Sequence, residues 1–406
     1  MNKQNKAYSI ILFLIWPFSA LYIGLRNFDT FFGRNLIIVL YSFLGLTAFS
    51  VGDLDRYEKQ FYIYKAVSIS KLFTDFISLQ DGKFYNSFLS IVTGFVFQSH
   101  HFYFMFLFLV YGNFYVKAIF LLKDITFKKN NFFRLIFFLG LFMFLMVRSI
   151  PNLAFYTGGV FLVYNIICYY KFQQKKYLWF LFLAPLFHIG LTIYILVPLL
   201  LFLFKNKTWL YISFVFVTFL IGKSTIVGYL ENLSESNSGT IIESKYNAYA
   251  SDEGQESLEK RYAENEKIYN SKLKILNFFQ DAVLYFFVPL GMIVLFFNRK
   301  RLFQNENLRY FFHIVLLFYG ISNIMMNISQ GARFLVLFSF IAIGLFFTVY
   351  FKTKHIENYF IFNIFCKVFA PFIFIFGLMS AYASNEMFTY SFFVSNFFIE
   401  IINYLL

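Results

Sequence analysis

Residues 144–188 read FLMVRSIPNLAFYTGGVFLVYNIICYYKFQQKKYLWFLFLAPLFH. Arg148 ends one apolar run, the next returns to a basic turn at Lys171, Lys175 and Lys176, and a third carries His188. Apolar runs of this length, split by short basic turns, are the pattern of helices crossing a ~30 Å hydrocarbon core. A charged or ionisable group inside such a run is costly, so Arg148 and His188 are candidates for function. The plain structural alternatives are an arginine snorkelling to headgroups and a histidine hydrogen-bonded between helices.

The same texture runs through all 406 residues, of which 59% are hydrophobic and 14% charged. This is the composition of an all-α, polytopic membrane bundle. Regular ten-residue alternating segments are missing, which argues against a membrane barrel. The 66 phenylalanines and 30 tyrosines suit a lipid-facing surface with aromatic belts. Most of the +14 net charge lies in short turns between apolar runs, where it sets topology and does not mark a nucleic-acid partner. Cys168 and Cys366 both fall in apolar runs, and no Cys/His spacing suits a metal, so neither disulfide, metal nor cofactor is expected. The amino-terminal MNKQNKAYSIILFLIWPFSALYIGL lacks a clean small-residue cleavage site and reads as retained.

Candidate spans fall near 8–25, 35–51, 84–99, 101–122, 132–148, 152–170, 178–204, 208–228, 276–297, 309–328, 334–351 and 360–382, with a further piece at 388–406. That is roughly 10–13 membrane segments in one integral domain, 1–406. Basic turns at Lys123–Arg134, Lys171–Lys176, Arg299–Arg309 and Lys352–Lys354 read as cytoplasmic. Loops at Arg148–Asn152, 229–275 and Ser329–Arg333 then lie outside. For Lys205 and Lys207 to lie inside, segment 178–204 must enter and return, with a break at Pro185–Gly190 and His188 near its apex. Irregular backbone at that depth is tolerated only inside protein or beside a water-filled cavity. The same reasoning bends the first run at Pro17 into a hairpin that keeps Lys3, Lys6, Arg26 and Arg34 on one side. Loop 52–83 is then outside with juxtamembrane helices, and 84–99 is a partial or juxtamembrane helix; simple crossing of 8–25 and 84–99 is the rival. Loops 52–83 and 229–275 hold five and nine acidic residues, fourteen of the 21 in the chain. The second becomes amphipathic, with Tyr262 and Tyr269 seven residues apart, as on a solvated helix.

Three constellations suit chemistry. GDLDRYEKQFY, Gly52–Tyr62, places Asp53 and Asp55 beside Tyr57 directly after a span. A carboxylate there can act as general base toward a sugar hydroxyl, or can simply open a helix. Arg148 is suited to hold a pyrophosphate through its planar fork. In SNIMMNISQGARF, Asn323 and Asn327 share a helix face, and Gln330 and Arg333 follow. His100, His101, His313 and His355 read as structural, and Lys223 and Lys367 as snorkelling.

Four stretches, DLDRYEKQF (53–61), VRSIPNLAFYTGGVFLVYN (147–165), LAPLFHIGLTIYILVPLLLF (183–202) and GARFLVLF (331–338), resemble the EpsG-type polysaccharide polymerases, relatives in role of the Wzy O-antigen polymerases. The resemblance implies a GT-C-like membrane glycosyltransferase of the bacterial inner (cytoplasmic) membrane. It would join oligosaccharide repeat units carried on undecaprenyl pyrophosphate at the outer face, without a nucleotide sugar. Asp53, Asp55 and His188 would be catalytic, and Arg148 and Arg333 would bind pyrophosphate. Tyr57, Asn323, Asn327 and Gln330 would line the substrate. Partners would be the lipid-linked glycan, the bilayer, a flippase and a chain-length regulator. A flippase for the same lipid-linked glycan, or another lipid-sugar-dependent transferase or ligase, is the alternative.

Overall fold

The computed structural model describes residues 3–48, 50, 53–78, 80, 82–124, 132–145, 152–221, 223–236, 238, 243–244, 246–247, 251, 256, 271–299, 304–328, 330–352, 359–383 and 389–405. Every regular element among them is helical. The chain opens with α1 (Lys3–Ile15), α2 (Ser19–Arg26) and α3 (Phe31–Leu46), then α4 (Asp53–Tyr64), α5 (Ile69–Ile77) and α6 (Phe84–Phe97). There follow α7 (His100–Asp124), α8 (Phe132–Phe144) and α9 (Leu153–Phe172). The short α10 (Lys176–Trp179) runs into a 3-10 stretch, Phe180–Leu186; a second, Ile189–Ile195, runs into α11 (Leu196–Phe204). Then come α12 (Thr208–Leu220), α13 (Lys223–Ser236), α14 (Ser271–Asp281), α15 (Val288–Phe297), α16 (Glu306–Met325), α17 (Ala332–Lys352), α18 (Phe360–Ala383), α19 (Tyr390–Val394) and α20 (Phe397–Leu405).

Among the described residues, six helices are long and apolar enough to cross a membrane, and six shorter apolar helices of 10–17 residues stand among them. The protein is therefore a multi-pass helical membrane bundle. The expected span 208–228 is instead two helices, because Ile221 is extended between α12 and α13. At the centre lies α17, whose residues from Phe334 to Val349 are all buried. A helix apolar on every side belongs in a core. Around it α3 and α7 pack antiparallel: Tyr41 meets Tyr111 at 5.7 Å between ring centroids, and Leu46 offers its carbonyl to His101 at 3.1 Å. Gly45 lets these helices touch, since a methyl group there would lie 2.5 Å from the Phe104 carbonyl oxygen.

The bend expected at Pro17 is present. α1 and α2 pack on each other, and the apex is fastened by Trp16, whose indole donates to the Phe393 carbonyl at 2.5 Å. Phe13 and Phe18 meet Phe397 and Phe392 there. The final segment is two short helices seated on this hairpin and on α3, with Glu400 buried.

The break expected at Pro185–Gly190 falls at His188, extended at φ −160°, ψ 125° between the two 3-10 stretches. Pro185 has no N–H and disrupts the α ladder. Both arms pack on each other and on α9. Gly158 of α9 lies against the corner, where a methyl group would strike Leu191 and come within 2.8 Å of Phe187 Cβ. With ~2.0 Å rise per residue the seven-residue 3-10 stretches each reach ~14 Å, so short arms cover much of a membrane's depth.

The basic turns collect at one end of the bundle. Lys123 pairs with Asp29 at 2.7 Å and Lys171 with Asp124, Arg134 donates to the Lys123 carbonyl at 3.3 Å, and Lys352 donates to the Tyr170 hydroxyl at 2.9 Å. Phe311, near the start of α16, stacks on Tyr170. α12 runs parallel to α16: Thr208 meets His313 at 2.9 Å, and further along Asn323 meets Val215. Lys205 and Lys207, just before α12, therefore sit with the basic turns, and the chain from Lys176 to Lys205 leaves that end and returns to it.

Candidate functional site

At the opposite end, the start of α9 is closed by residues distant in sequence. A helix leaves its first N–H groups without intrahelical partners, and a nearby side chain normally caps them. Asn152 occupies the capping position but makes no side-chain cap. Instead its Oδ1 accepts a hydrogen bond from Arg333 at 2.9 Å. The capping duty falls to Tyr57 of α4, whose hydroxyl accepts from the Ala154 N–H at 3.2 Å. Tyr57 is buried, and the Lys83 ammonium lies 4.7 Å from the centre of its ring.

Arg333 is held at three points. Besides Asn152, its Nε donates to the Gln330 carbonyl at 3.2 Å, and its guanidinium lies 5.2 Å from the Phe155 ring centre. The turn that presents it is tight. Gln330 adopts a left-handed φ of 62°, and a methyl group at Gly331 would collide with the Met325 carbonyl. Glycine is required there by the close backbone approach.

His188 meets the same Phe155 ring, edge-on at 5.5 Å. Its Nδ1 accepts from the Gly190 N–H at 3.0 Å. A backbone N–H can only donate, so Nδ1 carries no proton and the neutral ring bears its proton on Nε2. In this state the second ring nitrogen of His188 is a donor. The adjoining Ile189 N–H donates to the Gly82 carbonyl at 3.0 Å, and Phe187 packs on Tyr85 at 4.9 Å. The corner is thus pinned to the segment that carries Lys83.

Five chain segments therefore meet: α4 through Tyr57, the 82–83 segment through Lys83, the corner through His188, the start of α9 through Asn152 and Phe155, and the start of α17 through Arg333. The amino-terminal end of a 20-residue helix carries a partial positive charge, and Arg333 and Lys83 add to it. Helix terminus, fork-shaped guanidinium and ammonium together favour an anion with several oxygens. Lys83, Asn152 and Phe155 were not among the residues singled out from sequence. None has a local signature, and their importance comes from the convergence alone.

Other expected residues fall differently. Arg148 lies outside the described residues, four positions before Asn152 in the chain, and so does the Asp53 side chain at the start of α4. Asp55 pairs with Lys59 one turn on at 2.7 Å, half-exposed on the surface of α4. Two residues along a helix turn a side chain by ~200°, which sets Asp55 away from the face that presents Tyr57. The asparagines turn toward α12: Asn323 donates to the Val215 carbonyl at 3.4 Å, and Asn327 to the carbonyls of Asn323 at 3.0 Å, Ile324 at 3.3 Å and Ile221 at 3.5 Å. The bonds to Val215 and Ile221 tie this segment to α12, which is the ordinary use of amides between membrane helices. Gln330 contributes its backbone carbonyl to Arg333.

Three of the histidines expected to be structural make contacts with neighbouring side chains. His101 stacks on Tyr404 at 3.7 Å, His100 meets Glu58 at 3.5 Å and Tyr62 at 3.1 Å, and His313 stacks on Tyr211 at 4.2 Å. His355 and the Tyr262–Tyr269 stretch lie outside the described residues. No known protein family matches this chain, and neither does any curated protein or solved structure.

Proposed function

We propose that this chain is a membrane-embedded, GT-C-like glycosyltransferase. It joins oligosaccharide repeat units carried on undecaprenyl pyrophosphate, at the outer face of the bacterial inner membrane. The observation that carries the reading is the meeting of Arg333, His188 and Lys83 at the start of α9, at the end of the bundle away from the basic turns. Basic turns stay in the cytoplasm, so this end faces outward. A site there meets lipid-linked glycans only after they have been flipped, which fits a polymerase of assembled repeats.

In the proposed reaction an acceptor sugar hydroxyl attacks the anomeric carbon of the lipid-linked glycan. The new glycosidic C–O bond forms as the bond to pyrophosphate breaks, and the leaving pyrophosphate takes the electron pair. Charge therefore builds on the phosphate oxygens, the largest electrostatic demand of the step, and Arg333 with Arg148 neutralises it. The hydroxyl proton passes to the carboxylate of Asp53, at the start of α4. His188 donates its Nε2 proton as a hydrogen bond to glycan or phosphate.

The test is to delete the gene in a strain that makes a surface polysaccharide through this chain and to find where lipid-linked repeats collect. Single repeat units accessible from outside support the proposal. Repeats trapped inside identify a flippase and overturn it.

A further inference from the structure

The short helix α5 has three distinct faces. Leu72 is fully buried against the bundle. Ile69, Phe73 and Ile77, at i, i+4 and i+8, form an exposed apolar stripe, with Ile77 78% exposed. Ser70, Lys71, Thr74 and Ser78 form an exposed polar stripe beside it. A helix in water hides its apolar stripe, whereas one lying in a membrane interface needs all three faces.

The next helix is polar inside and apolar outside. Asn86, Ser87, Ser90 and Thr93 of α6 are buried, whereas Phe88, Val92, Phe95 and Val96 point outward, Phe95 being 86% exposed. Water is the wrong medium for that face. The two apolar surfaces are continuous through Phe84, whose ring lies 5.2 Å from Phe73, 5.0 Å from Phe76 and 6.3 Å from Phe88. Tyr62 and Ile63 at the end of α4 extend the surface. Exposed Lys65 and Lys71 border it, and the Lys65 ammonium lies 4.8 Å from the Tyr62 ring centre.

We infer that this surface is seated in the bilayer leaflet at the end of the bundle away from the basic turns. The occupant is lipid because the surface belongs to a membrane bundle and the polar groups of α6 point inward. The bordering lysines also match the phosphates of a headgroup layer. α5 lies along the boundary, with Phe73 and Ile77 among acyl chains and Thr74 toward water. The seat fixes the height of α4, and hence of Tyr57 where it caps α9.

Full-length protein in phospholipid nanodiscs, spin-labelled at Phe73→Cys, Ile77→Cys or Thr74→Cys, tests this by oxygen and nickel-chelate accessibility. The two native cysteines are buried, so unlabelled-site background is measured on wild type. Labels at 73 and 77 should favour oxygen several-fold, and the label at 74 the nickel chelate. Phe95→Cys gives the same oxygen-favouring result on α6 and serves if an α5 variant fails to fold. Equal access of nickel chelate to 73, 74, 77 and 95 overturns the inference. Exclusion of both relaxants from 73 and 77 overturns it too, because another protein surface then covers the stripe.

Discussion

Replacing Arg333 by alanine removes a guanidinium that donates to Asn152 Oδ1 at 2.9 Å and to the Gln330 carbonyl at 3.2 Å and that lies over Phe155. A hydrogen bond from a charged group contributes roughly 1.5–3 kcal/mol when desolvated. Arg333 is only half-buried, so screening lowers the folding cost of losing both bonds to about 1–2 kcal/mol in all. The catalytic cost is separate. A donor aimed at developing charge is worth ~10²–10³ in rate, or about 2.7–4 kcal/mol. The variant should therefore remain in the membrane at near-normal amount, melt slightly earlier in detergent, and yield single lipid-linked repeat units in place of a chain-length ladder on gels. Arg333→Lys keeps the charge without the fork and should give short chains. A normal ladder from Arg333→Ala refutes the reasoning.

Four further outcomes follow from the same geometry. Gly158→Ala drives a methyl group into Leu191 and Phe187, so it should lower stability by ~1–3 kcal/mol, read as an earlier thermal transition, and shorten the ladder by displacing His188. Tyr57→Phe strips the cap from the Ala154 N–H and should cost ~1–3 kcal/mol in the same melt, since that donor is left buried and unpaired. If His188 acts as an Nε2 donor, His188→Gln, whose amide reaches the Nε2 position, should retain part of the polymer that His188→Ala loses; equal loss in both points to a base instead. The pair Asn323→Ala, Asn327→Ala should reduce folded protein through lost contacts with α12, while the ladder made by the folded fraction keeps its normal length.

Some of the fold is legible because it follows from charge and length. Basic turns must gather at one end, which requires a break near Pro185–Gly190 and favours a bend at Pro17 over simple crossing of 8–25 and 84–99. The reach of the His188 arms is not legible, because nothing in FLFLAPL or IGLTIYI distinguishes a 3-10 path from an α one beyond the proline. Asp55 shows a competition that is local. A carboxylate opening a helix suits a base, but Lys59 stands four residues on and takes it as an ion-pair partner. Asn323 and Asn327 show the limit of periodicity, which tells that two side chains share a face and not which helix that face meets.

The sequence by itself determined that this is a multi-pass helical bundle, where its basic turns lie, and that Arg148 and His188 are costly residues calling for explanation. Long apolar runs and buried charges have free energies that depend on the residues alone, so no neighbour is needed to read them. Only the tertiary structure decided that Arg333 and His188 share the ring of Phe155, that Asn152 gives its oxygen to Arg333, and that Tyr57 caps α9 in its place. Those contacts join segments up to 181 residues apart. Their energy exists only after packing has brought the segments within hydrogen-bond range, and no local pattern encodes that meeting.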